Sequence, residues 1–165
     1  MFNLLFGGPW KRLVNADSEY QAAKAEFLNA EPVETLRRQF RSASDLHAAL
    51  RFLDATAWSH PSVAKELIPE VFYWACMQAR YSGLARRILV TLRPRDRDAA
   101  LEPLIAAELN NLTADRWDQI RGLVWLLEDL GRDDVLAELK TRLLASADEE
   151  LLDIAEDIDD PPETV

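Results

Sequence analysis

One pattern returns in this chain at a fixed spacing of 34 residues. Leu67-Ile68-Pro69-Glu70-Val71 recurs as Leu101-Glu102-Pro103-Leu104-Ile105, and again as Val135-Leu136-Ala137-Glu138-Leu139, with alanine in place of proline. The same offset aligns Ala55 with Leu89 and Leu123, and Trp58 with Leu92 and Leu126. A period of that size points to units of two short helices, each burying its apolar face against the next. No segment shows the apolar-polar alternation of a half-buried strand. A proline inside a helix removes one backbone hydrogen bond and costs roughly 3 kcal/mol. Two prolines at matched positions therefore predict equivalent, bent helices around Pro69 and Pro103.

Local signals divide the chain further. Tyr20, Ala23, Phe27 and Leu28 predict a helix over about 16–29. Pro32 opens a short one to about residue 41, and Ser44-Asp45 opens another carrying Leu46, Ala49, Leu50 and Leu53. Ser59-His60-Pro61 begins a long helix to about Ala79, with His60 in a capping or loop role. Gly83 breaks the chain before a helix to Leu92, and another covers about 97–110. Thr113 to Leu130 ends at Gly131 as a C-cap, Asp133 leads a helix to near Ala145, and Ser146 with Glu149 reads as a capping box for the last. The expected core is Leu50, Leu53, Leu67, Val71, Phe72, Leu89, Leu92, Leu104, Ile120, Val124, Leu127, Leu139 and Leu143.

With its Leu-x-Pro elements, the pattern resembles HEAT-like repeats. The run from Ile120-Arg121-Gly122-Leu123 to Leu130-Gly131 looks like the second helix of such a unit, and Leu84-Ala85-Arg86-Arg87-Ile88-Leu89 is a weaker likeness. The resemblance implies an all-α, short right-handed α-solenoid of about four stacked antiparallel helix pairs, over 32–58, 61–93, 97–130 and 132–158. Residues 1–31 then form an apolar N-terminal segment and a capping helix, residues 32–158 the array, and 159–165 an acidic disordered tail. The first and last pairs depart from the pattern, as terminal units do when one face meets water.

Charge is divided unevenly. Residues 1–93 hold 12 Lys and Arg against 9 Asp and Glu, whereas residues 94–165 hold 7 against 20. A net charge of −10 disfavours broad nucleic-acid binding, which needs a dominant positive field. The acidic half is either a solvated surface or a lure for a basic partner. Cys76 is the single cysteine, in the apolar run 71–77, and reads as a buried, inert thiol in a reducing, cytoplasmic setting. No apolar run is long enough to span a membrane.

No catalytic constellation stands out. His47 and His60 are the only histidines, and no metal-ligand spacing, glycine-rich phosphate loop or nucleophile elbow is present. The expectation is a non-enzyme without cofactor or metal. His47, Arg51, Asp54 and Trp58 fall on one helix face, and Asp118, Arg121, Trp125 and Glu128 on another. A solvated stripe explains the first face, and burial among leucines explains Trp125 equally well. In a HEAT-like stack the second helices line the concave side, so His47, Arg51, Asp54, Trp58, Arg86, Arg87, Asp118, Arg121 and Trp125 would share one partner-binding groove. Asp148, Glu149, Glu150 and Asp153 would form its acidic rim.

The favoured expectation is a protein-binding module, in the manner of a small acidic immunity or inhibitor protein that neutralises a basic partner. One alternative is the DNA-binding role of the HEAT-like alkylpurine DNA glycosylases, whose groove carries Asp, Arg and Trp. A scaffold subunit of a larger assembly is another. In the scaffold reading Phe2, Leu4, Leu5, Phe6 and Trp10 cap the first pair or dock on a partner.

Overall fold

The computed structural model describes residues 8–158, which are all-helical with no strand among them. Helix α1 (Pro9–Asn29) is followed by α2 (Pro32–Gln39), α3 (Leu46–Thr56), α4 (Pro61–Glu66), α5 (Ile68–Cys76) and α6 (Ser82–Thr91). Then come α7 (Pro94–Leu109), a 3-10 turn (Ala114–Arg116), α8 (Trp117–Leu130), α9 (Asp133–Leu144) and α10 (Glu149–Asp157). Proline stands in the first turn of α1, α2, α4, α5 and α7, where its missing N–H has no partner to lose. Gly131 closes α8 at φ +65, the left-handed cap that its sequence position predicts.

Several boundaries differ from expectation, each for a local reason. α1 begins at Pro9 rather than near residue 16, because Gly8 and Pro9 supply an N-cap and a preset first turn. The long helix expected from Pro61 to Ala79 is two helices that meet at Leu67. Pro69 has no N–H for the carbonyl of Lys65, and its ring would crowd that carbonyl, so the chain restarts there. α7 by contrast runs unbroken through Pro103. The two matched prolines therefore do not sit in equivalent helices. Gly83 does not break the chain; it lies in the first turn of α6. The break comes earlier, where Met77 turns extended (ψ 142) and ends α5. The capping box of α10 is displaced too. Asp148 is the cap and accepts from the N–H groups of Glu150 (3.0 Å) and Leu151 (3.4 Å), while the Ser146 hydroxyl accepts from the N–H of Asp148.

A single apolar core runs through the helices from α2 to α10. Leu67, Leu101 and Val135 are all buried, as are Val71, Ile105 and Leu139, so these two positions of the 34-residue period are equivalent in burial, whereas Ile68 is buried and its counterpart Glu102 exposed. The period's second-helix positions fail in the first pair, where Ala55 and Trp58 are exposed and their counterparts buried. Burial realigns when that pair is read one residue further along. Leu50, Leu53 and Ala57 then match Ala85, Ile88 and Leu92, all buried. Of the expected core only Leu104 is not fully buried; it packs half-exposed against the cluster. Helix α3 packs against α6, α6 against α8 and α8 against α10, α2 meets α4, α4 and α5 meet α7, and α5 also packs against α6 and α8.

Helices α5 and α8 approach each other closely at Gly122. A Cβ added to Gly122 would lie 1.8 Å from the backbone oxygen of Cys76. α5 ends at that point, and only a residue without a side chain lets α8 pass. Helix α1 differs from the rest because none of its residues is buried. It touches α2, and the Phe27 ring meets Phe52 edge-on at 5.0 Å. Trp10 is 74% exposed, so it does not cap the first pair. Phe2, Leu4, Leu5, Phe6 and the acidic tail lie outside the described residues.

Candidate functional site

The exposed sides of α3, α6, α8 and α10 form the surface on which most of the sequence candidates fall. Each neighbouring pair of these helices is joined by one arginine–aspartate contact. Arg87 on α6 donates two bonds to Asp54 on α3, at 2.7 and 2.6 Å. The adjacent Arg86 reaches the other way, to Asp129 on α8 at 2.9 Å, and its guanidinium lies 5.4 Å from the Trp125 ring centre. Arg121 on α8 donates to Asp157 on α10 at 2.5 Å. Asp54 raises the pKa of Arg87 through its hydrogen bond and its charge. The Glu128 carboxyl is raised as well, first by desolvation and then by the neighbouring charge of Asp129.

Not every candidate joins this row. His47 is exposed and stacks on Tyr81 at 4.5 Å with the rings nearly parallel, at the start of α6. Asp118 turns to its own backbone and accepts from the N–H of Gln119 at 2.9 Å. Arg51 is exposed and has no ion-pair partner among the described residues. Trp58 is 75% exposed beyond the end of α3. Trp125 is 41% exposed, so the leucines beside it do not bury it. Trp117, Arg121, Glu150 and Asp153 line a hollow of about 270 Å³. Of the expected acidic rim, Glu150 and Asp153 thus lie beside Trp117 and Arg121 of α8, while Asp148 caps α10.

Some residues of consequence were not read from the sequence. Arg97, largely buried, donates to the carbonyls of Leu89 (3.3 Å), Val90 (3.3 Å) and Leu92 (3.2 Å), closing the end of α6. A cation soon after a leucine-rich helix is the signal that points to such a cap. Arg37 ties α2 to α5 through Glu70 at 2.6 Å and to the carbonyl of Glu66. Arg132 ties α9 to α7 through Glu102 at 2.7 Å. Asp129 and Asp157 carry no sequence mark of their own, since their role depends on which neighbour each helix turns toward.

These ties change how the charge is displayed. Arg95, Arg97, Arg116, Arg121, Arg132 and Arg142 each have a carboxylate oxygen within 3.8 Å. The arginines of the acidic half are all engaged, while Glu149, Glu150, Asp153 and Glu156 stay exposed. Cations without a carboxylate partner among the described residues, such as Lys11, Arg12, Arg51, Lys65 and Arg80, lie in the first half of the chain.

Cys76 is buried, and its thiol is pushed well above the ordinary range by that burial, with the charge of Glu108 adding to it. Since the thiolate is the reactive form, a thiol reagent at mildly alkaline pH should label the folded protein at least about 100-fold more slowly than the urea-unfolded chain. Labelling followed by mass spectrometry checks this; equal rates would place Cys76 at the surface. Among the described residues no group of three His, Cys, Asp or Glu side chains is arranged to hold a metal ion, and no helix is long and apolar enough to cross a membrane. No protein-family model matches the chain, and neither the curated proteins nor the solved structures compared with it give a match.

Proposed function

We propose that the chain is a non-catalytic protein-binding module, built as a short stack of HEAT-like helix pairs that presents the outer row α3, α6, α8 and α10 to a basic partner protein. The row order of helix contacts supports the stacked reading, since each second helix meets the next. The observation that carries the function is the charge display on the last third of the chain. Its arginines are consumed in internal ties, and its surplus carboxylates stay exposed, Glu150 and Asp153 among them beside Trp117. Unpaired acids provide long-range attraction for a cationic surface, and exposed tryptophans beside arginines are the side chains that anchor protein interfaces. An inhibitor or immunity protein that masks a basic partner is the kind of role this display suits.

The test starts from the immobilised chain and a cell extract, keeping partners held at low salt and identified by mass spectrometry. On the captured partner, Asp148→Ser, Glu149→Ser, Glu150→Ser and Asp153→Ser together should slow association about tenfold and flatten its salt dependence, with little change in dissociation. Serine at residue 148 still caps α10. Trp125→Ala and Trp58→Ala should instead speed dissociation. If neither set alters the kinetics while circular dichroism shows an intact fold, this face is not the working surface.

A further inference from the structure

We infer that α1 is a self-association element, and that the occupant of its apolar face is α1 of a second copy of this chain, running antiparallel. Leu13, Tyr20 and Phe27 stand at seven-residue spacing with Ala16 and Ala23 between them, the seam of a helix pair. Leu13 is 60% exposed and Tyr20 48%, and Trp10 and Val14 are exposed beside them. Together these four leave on the order of 500 Å² of apolar surface in water, at the upper end of what a monomer carries in one patch. Helix α1 buries no residue, so it lacks the packed face that normally stabilises a helix in a protein.

The space for a second helix is present. Tyr20, Ala23 and Phe27 of α1 face Leu36 of α2 and Ala48 and Phe52 of α3 across an open apolar groove of about 530 Å³. An antiparallel partner centred near Glu19 sets its Leu13 and Trp10 into this groove beside Phe27, and by symmetry receives the same from the first copy. Such a self-complementary contact closes as a two-fold dimer. Both seams and both groove walls together approach the roughly 800 Å² per partner of a standard interface.

Charge along the seam fits the same arrangement. Arg12, Glu19 and Glu26 fall on one edge of the stripe, again at seven-residue spacing. Antiparallel pairing puts Arg12 against Glu26 of the second copy, and neither has an ion-pair partner among the described residues. Glu19 meets its own copy near the axis. From Pro9 to Asn29 the helix carries Lys11, Arg12 and Lys24 against Asp17, Glu19 and Glu26, a balanced set that suits self-pairing better than an anionic lipid surface.

The test is sedimentation equilibrium of the full chain over micromolar to submillimolar concentrations. The wild-type chain should be a reversible dimer. Leu13→Glu should raise the dimer dissociation constant at least about 100-fold without loss of helicity or thermal stability of the monomer, since residue 13 touches no core. Arg12→Glu and Glu26→Arg should each weaken the dimer about tenfold, and the double variant should restore it. Glu19→Gln should tighten it. A chain that stays monomeric throughout, or a dimer indifferent to Leu13→Glu and to the charge exchange, overturns the inference. So does a monomer that floats with neutral or anionic phospholipid vesicles through α1. Partner capture through α10 is a separate readout, so either proposal can fail alone.

Discussion

Gly122→Ala should be among the most damaging single-methyl additions in this protein. The new Cβ would sit 1.8 Å from the oxygen, 2.4 Å from the carbonyl carbon and 2.8 Å from the Cα of Cys76. These are backbone atoms, so no rotamer change relieves the contact, and α5 and α8 must move apart. Both helices contribute buried residues to the core next to this point, α5 before it and α8 on either side. Overpacking that flexible side chains can absorb costs about 1–3 kcal/mol. Here we expect about 3 kcal/mol or more, despite the gain of up to about 1 kcal/mol from alanine's better helix propensity. Urea unfolding followed by far-ultraviolet circular dichroism reads the change. Gly131→Ala is the control: it meets nothing within 4 Å and suffers only the strain of φ +65, about 1–2 kcal/mol. Equal losses at the two glycines would mean that α5 and α8 do not approach as described.

The second large effect belongs to Leu127→Ala. Leu127 is fully buried in α8, the helix that touches α5, α6, α9 and α10. Truncation there should cost about 2–5 kcal/mol, and toward the upper end because the helices around the cavity are held by their own cores. Leu104→Ala, at a half-exposed position on α7, should cost below about 1.5 kcal/mol. The pair of variants, measured by the same urea titration, tests the direction in which each stripe faces. A larger loss at Leu104 than at Leu127 would reverse the orientation assigned to α7.

Much of the helical frame was legible because it rests on local chemistry. The buried stripes of α3, α8 and α9 follow from helical spacing alone, and Gly131 closes α8 as its place after Leu130 predicts. Leu67, Leu101 and Val135, matched by the 34-residue period, are likewise buried alike. What failed depends on relations between distant segments. Ala55 and Trp58 align by count with buried leucines, yet both are exposed, because which way a helix turns is set by its neighbours and not by a count along the chain. Pro69 and Pro103 match in sequence, but only the first divides its helix. On the candidate surface, Asp54, Arg86, Arg87 and Arg121 were expected in a partner-binding groove, and each is engaged in an ion pair between two helices. The pairings were not legible, because an ion pair between two helices depends on how each is rotated about its axis.

The adjacency of Arg86 and Arg87 restricts how the length of this chain can drift. The two side chains serve opposite neighbours, Asp129 on one side and Asp54 on the other. One residue inserted or deleted within α6 turns everything after it by about 100°. An event ahead of the arginines aims both at the wrong helix. An event behind them swings Ile88 and Leu89 out of the core instead. Length change is better absorbed at residues 77–79, which lie outside any helix and anchor no inter-helix ion pair. Divergent descendants of this sequence should therefore vary in length before α6 and hold it constant within.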